Sequence, residues 1–189
     1  ETRIVLIMGL ANLVADGLSM AAANFSATRA ERADYRRLEA MERRHIRDAP
    51  EGEREEVRQI FRAKGFSGAE LEEMVRLVTN NRKTWVDTML AEEHGRAAVS
   101  TRPLRAAAAT FGAFLLAGAV PLAPFVAGLP DAALVATGLT AAVFFAIGSL
   151  KSLWSTAHWT ASGLETLAVG LGAALAAYAI GAGVERLIG

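Results

Sequence analysis

Hydrophobic and polar positions divide this chain into blocks rather than alternating along it. Ile4 to Thr28 is apolar apart from Asp16, Ala106 to Pro130 and Ala132 to Leu150 carry no charge and are parted by Asp131, and Thr166 to Val184 is again uncharged. A bilayer core about 30 Å thick needs roughly 20 apolar residues as helix, so the pattern predicts four membrane spans. Between the first and second spans the pattern changes to short amphipathic helices. No glycine or proline interrupts Arg29 to Arg47, so the first span is expected to continue out of the membrane as one long helix. Asp48 as N-cap with Pro50 near N1 opens a second helix that ends at Gly65. Ser67 and Glu70 form a capping-box pattern for a third, and "KTWVDTMLAEEHG" is a fourth that stops at Gly95. Three short helices thus follow the extended span.

A cleavable signal peptide is the competing reading of the first span, since Arg3 precedes the apolar run and "MAAAN" offers small residues. Asp16 within the run, and apolar sequence beyond that point, favour a span. The chain opens on Glu1 and is apolar by Ile4, which reads as a fragment or a processed product. Basic residues near the span ends, Arg29, Arg32, Arg36, Arg102, Arg105 and Lys151, place the charged middle on the cytoplasmic side; the link around Pro121 to Asp131 has no Lys or Arg. Trp154 and Trp159 suit an interfacial belt. Pro103 can open the second span, with Pro121, Pro124 and Pro130 closing it, and the small residues of the last span, such as Gly170, Gly172 and Gly181, serve close helix packing within or between chains.

Charge sharpens this division. The chain of 189 residues is formally neutral, with 20 basic and 20 acidic residues, which gives no bulk reason to expect nucleic acid as a partner. Yet Arg29 to Arg105 holds 17 of the basic and 15 of the acidic residues, so two solvents are implied. Cysteine is absent, which excludes thiolate metal sites and thiol nucleophiles. A phosphate-binding loop, a dinucleotide fingerprint and a Ser/His/Asp order are also missing, so neither a catalytic residue nor a cofactor is expected.

The acidic residues of the middle fall at helical spacing. Glu39 and Glu42 are three apart, as are Glu53 and Glu56, and Met89 precedes Glu92 and Glu93 by three and four. The plain reading of any one pair is a solvated face laced with Glu/Arg pairs. Three sets on successive helices leave that reading in place but also admit a divalent-cation site, with a thioether tilting it toward iron or another transition ion and His45 able to add an imidazole. Asp16 and Met20 share one face of the first span, a turn beyond Asn12, and an ionisable residue at membrane depth marks a transport path. With no nucleotide site, transport would run on an ion gradient, and protons compete with metal for carboxylate oxygens. A Glu-x-x-His pair, Glu42 to His45, also raises a ferritin-like oxidase, but such bundles use two of them.

Taken together, "GLSMAAANF", "PEGEREEVRQIFRAKGF", "WVDTMLAEEHG" and "GSLKSLW" resemble the vacuolar iron transporter family over nearly the whole chain. The resemblance implies Fe(II) or Mn(II) export or sequestration by proton antiport, with the metal as substrate and no enzymatic activity. It also implies a homodimer with a path at its two-fold interface and a cytoplasmic three-helix metal-binding domain. The implied domain ligands are Glu42, Glu53, Glu56, Met89 and Glu93, with Glu39 nearby and Met20 in the path. His45 departs from a family glutamate, Leu90 stands where a second methionine can occur, and the family's first span with its aspartate has no counterpart here.

The expectation is therefore an all-α polytopic membrane protein. Residues 1–30 form a span, residues 31–100 a cytoplasmic helical metal-binding domain, and residues 101–189 three further spans, in a bacterial inner membrane. Its metal-site residues are Glu39, Glu42, His45, Glu53, Glu56, Met89, Glu92 and Glu93, and its path residues Asp16 and Met20. Its partners are divalent metal ions, protons, the bilayer and a second copy. A membrane-anchored metal-binding or sensor module is the alternative.

Overall fold

The computed structural model describes residues 2–96 and 102–188, and the described residues form helices and their connections, with no strand among them. The expected boundary between residues 100 and 101 lies outside the described residues. In order, the helices are α1 (Thr2–Asp48), α2 (Pro50–Ala63), α3 (Gly68–Thr79), α4 (Arg82–Glu92), α5 (Pro103–Ala119), the single turn α6 (Ala123–Val126), α7 (Ala132–Lys151) and α8 (Trp159–Ile188). Short 3₁₀ turns at Val120–Leu122 and Ser152–Trp154 extend α5 and α7. The chain divides into two compact units, one of residues 1–20 and 110–189, the other of residues 21–109. The expected long first helix is found, unbroken for 47 residues.

The first unit is apolar on its outside. Four helical segments, Thr2–Asp48, Pro103–Val126, Ala132–Trp154 and Trp159–Leu187, are long and apolar enough to cross a bilayer. Their large side chains are not hidden: Leu116, Leu134 and Tyr178 are 76%, 75% and 77% exposed. Such a surface is stable against hydrocarbon, where each helix satisfies its own backbone hydrogen bonds. Without a hydrophobic drive between helices, contact depends on small residues that let backbones approach. A Cβ at Gly148 on α7 would lie 2.5 Å from the Ser162 carbonyl of α8, and one at Gly163 would lie 2.7 Å from the Phe145 ring. On α1, Gly9 and Gly17 meet Leu122 and Phe111 in the same way. This multi-pass helical architecture agrees with the sequence pattern.

The second unit holds a buried hydrophobic cluster between its helices. Ile46 from α1, Val57 from α2, Leu71, Val75 and Val78 from α3, and Trp85, Val86, Met89 and Leu90 from α4 form one buried cluster. The α2 end follows the glycine rule closely. Gly65 takes φ +98°, Gly65 N–H donates to the Arg62 carbonyl at 3.0 Å, and Phe66 N–H to the Phe61 carbonyl at 3.2 Å. Phe61 and Phe66 then meet edge to face at 5.8 Å, the hydrophobic contact that accompanies this cap. Two expected caps differ. Ala49 rather than Asp48 stands at the N-cap of α2, because α1 runs on through Asp48 and its carboxylate pairs with Arg47 at 2.8 Å. Ser67 does occupy the N-cap of α3, but its hydroxyl makes no capping bond; Asn81 does that for α4, accepting from Lys83 and Thr84 N–H.

Candidate metal site

Three carboxylates of the second unit occupy positions where the helical pattern calls for hydrophobes. On α1 the core-facing stripe reads Leu38, Glu42, Ile46; on α2 it reads Glu53, Val57, Ile60; on α4 Val86, Met89 and Leu90 are followed a turn later by Glu93. Folding the apolar stripes together therefore draws the acids together. Glu42 is 1% exposed and Glu53 6%, and a buried carboxylate is costly unless paired.

No Lys or Arg side chain pairs with these two acids among the described residues; their neighbours are histidines. His94 Nε2 lies 2.9 Å from Glu42 Oε1, and His45 Nδ1 lies 3.5 Å from Glu53 Oε1. Where the Glu42 carboxylate is ionised it only accepts, and the proton of this contact then sits on His94 Nε2. The second oxygens, Glu42 Oε2 and Glu53 Oε2, are buried with no hydrogen-bond partner. Ligand atoms of Glu42, His45 and Glu53 lie within 4.8 Å of one another, and so do those of Glu42, Glu93 and His94. Donors about 2.1 Å from one ion stand roughly 3–4 Å apart, so either set closes on a cation with little movement. Glu42 belongs to both.

The electrostatics agree with an unfilled demand for positive charge. Burial, then the charges of Glu56 and Glu42, push Glu53 from 4.5 up to about 7, with His45 partly offsetting them. Glu93 is also raised, by burial and by Glu42, with His94 opposing. Carboxylates held above their ordinary range near neutral pH take up a proton or a cation, and these two compete.

Of the expected ligands, the fold brings together Glu42, His45, Glu53 and Glu93. Glu56 is exposed but close enough to raise Glu53 and Glu93. Met89 is wholly buried in the hydrophobic cluster, one turn before Glu93. Glu39 and Glu92 are occupied elsewhere: Glu39 accepts from Arg43 at 2.8 and 3.1 Å, and Glu92 pairs with Lys64. Asp16 and Met20 lie on an exposed face of α1 in the other unit. His94 was passed over by sequence reasoning, although its place directly after Glu93, at the foot of a helix whose stripe ends in an acid, was a usable signal.

Known proteins resemble this chain over most of its length. The chain is 28% identical to vacuolar iron transporter 1 of Arabidopsis thaliana over 98% of its own length and 76% of that protein's. It is 26% identical to vacuolar iron transporter 1 of Oryza sativa over 97% of its length and 74% of the relative's. It is 32% identical to the vacuolar iron transporter of Toxoplasma gondii over 65% of its length and 41% of the relative's. A family profile described as the VIT family matches residues 1–182, and the chain belongs to that family.

Proposed function

We propose that this protein carries Fe(II) or Mn(II) across a membrane in exchange for protons, with the charged middle of residues 29–105 facing the cytoplasm and capturing the ion. The observation that carries this reading is the pair Glu42 and Glu53, each buried with one oxygen unpartnered and, among the described residues, with imidazole rather than Lys or Arg beside it. A structural salt bridge would supply Arg or Lys; a site that must accept and release a cation leaves the charge open. Relatives named as iron transporters support a metal as cargo.

Proton exchange is supported by the chemistry of the ligands. Glu53, held at about 7, is half protonated near neutral pH, so an arriving divalent ion displaces a proton from it. Asp16 and Met20 on the exposed face of α1 supply an oxygen and a thioether within the span. An exposed aspartate inside an apolar helix calls for a second surface, which supports a homodimer with α1 at its interface.

The test is uptake by proteoliposomes containing the full chain, with Fe(II) and Mn(II) offered separately under an imposed pH gradient. Gradient-dependent metal entry that is weakened by Asp16→Ala or Met20→Ala supports the path. Metal binding without gradient-dependent flux would make the protein a membrane-tethered metal-binding module instead.

A further inference from the structure

Where α1 leaves its apolar stretch, Arg29, Arg32, Ala33 and Arg36 line a cleft of about 290 Å³ together with Pro103, the first residue of α5. At about 100° per residue the three arginines fall within about 60° of arc, while Glu31 and Asp34 lie on the opposite side of the helix. Asp34 is spent on Arg37 at 2.8 Å and Arg96 at 3.1 Å. Among the described residues Arg29, Arg32 and Arg36 form no salt bridge, whereas Arg37, Arg43, Arg47 and Arg96 each have one. The cleft therefore concentrates positive charge that the protein itself does not neutralise. The start of α5, a 17-residue helix, adds the positive end of its dipole.

Depth decides what meets this charge. Thr28 ends the apolar stretch of α1 and Arg29 is the first cation after it; Ala106, just past Arg105, begins the uncharged stretch that α5 opens. Asn24 Nδ2 donates to the Ala106 carbonyl at 3.5 Å, which holds the two helices side by side just on the apolar side of the cleft. With both spans in hydrocarbon, the cleft lies at the level of lipid phosphates. Arginine is the side chain best matched to a phosphodiester, through two parallel N–H donors.

We infer that the Arg29–Arg32–Arg36 cleft is a binding site for the headgroup of an anionic phospholipid. The inference rests on the membrane-spanning architecture and is independent of the metal site. A bound headgroup would tie α1 to α5 at the point where the apolar part of α1 gives way to its charged part.

The experiment titrates the full chain in neutral detergent micelles with fluorescent phosphatidylglycerol and reads the apparent dissociation constant. Basic residues at an anionic surface are each worth about a five-fold change in affinity, so Arg29→Gln/Arg32→Gln/Arg36→Gln is expected to weaken binding roughly a hundred-fold. The charge-matched control Arg62→Gln/Arg76→Gln/Lys83→Gln, away from the cleft, should change it less than about three-fold. Arg29→Lys/Arg32→Lys/Arg36→Lys guards against misfolding and should retain part of the affinity. Phosphatidylcholine should not compete, and inorganic phosphate should compete only in large excess. Equal loss in the control, unchanged binding in the cleft variant, or equal competition by phosphatidylcholine or inorganic phosphate would overturn the proposal.

Discussion

Replacing Glu53 by glutamine should change how stability depends on pH, because Glu53 is a buried acid whose ionisation the fold resists. In the folded protein its carboxyl is raised from 4.5 to about 7, first by burial and then by Glu56 and Glu42. Because the folded state holds the proton more tightly than the unfolded chain, the contribution is fully present below about pH 4.5. It is lost as pH rises to about 7 and is constant above that. At 1.36 kcal/mol per pH unit, the total loss is about 3 kcal/mol, and about 2–3 kcal/mol of it falls between about pH 5 and pH 7.5. With Glu53 only 6% exposed, solvent screening takes little from that figure. Glutamine keeps the shape and cannot ionise, so metal-free Glu53→Gln should gain about 2–3 kcal/mol on the wild type across that interval. The assay is unfolding of the full chain in detergent, followed by the fluorescence of Trp85, which is buried in the core of the domain. Trp154→Phe and Trp159→Phe remove the exposed reporters. Mn(II) should restore the wild type at about pH 7.5 and do little for the variant. Parallel pH profiles for the two proteins would refute the burial argument.

Other predictions separate true ligands from bystanders. His94→Ala leaves Glu42 Oε1 without its donor, which should cost about 1–3 kcal/mol in metal-free stability and lower Mn(II) affinity in calorimetry; His158→Ala should do neither. Glu39→Gln and Glu92→Gln, which break exposed pairs with Arg43 and Lys64, should leave metal affinity within about two-fold and stability within about 1 kcal/mol. Gly148→Leu should abolish recovery of monodisperse protein by size-exclusion chromatography, since even a Cβ there would stand 2.5 Å from the Ser162 carbonyl; Gly172→Leu, in open space, should be tolerated.

Much of the fold was legible because membrane spans announce themselves by length: soluble core helices rarely stay uncharged for as long as Ala132 to Leu150. The long α1 was equally readable, since no residue between Arg29 and Arg47 breaks a helix. Caps were less so. Asp48 was a good N-cap by type, but nothing local said that α1 would end after it rather than before. In the site, spacing along each helix found Glu42, Glu53 and Glu93 yet could not separate them from Glu39 and Glu92. That distinction depends on which acid falls in line with Leu38, Val57 or Val86, and on whether Arg43 or Lys64 can reach it. His94 was hidden for the same reason, because it meets Glu42 across 52 residues of sequence.

In the proposed transport, buried carboxylates exchange protons for metal on the way across the membrane. That exchange is tested most directly by following internal pH and internal metal together in proteoliposomes given Fe(II) or Mn(II) outside, for the wild type and for Glu42→Gln/Glu53→Gln. Metal entry matched by proton exit is expected in the wild type, with strongly reduced movement of both at low metal in the variant. Metal entry with no change of internal pH, or equal coupled flux in the variant, would contradict it.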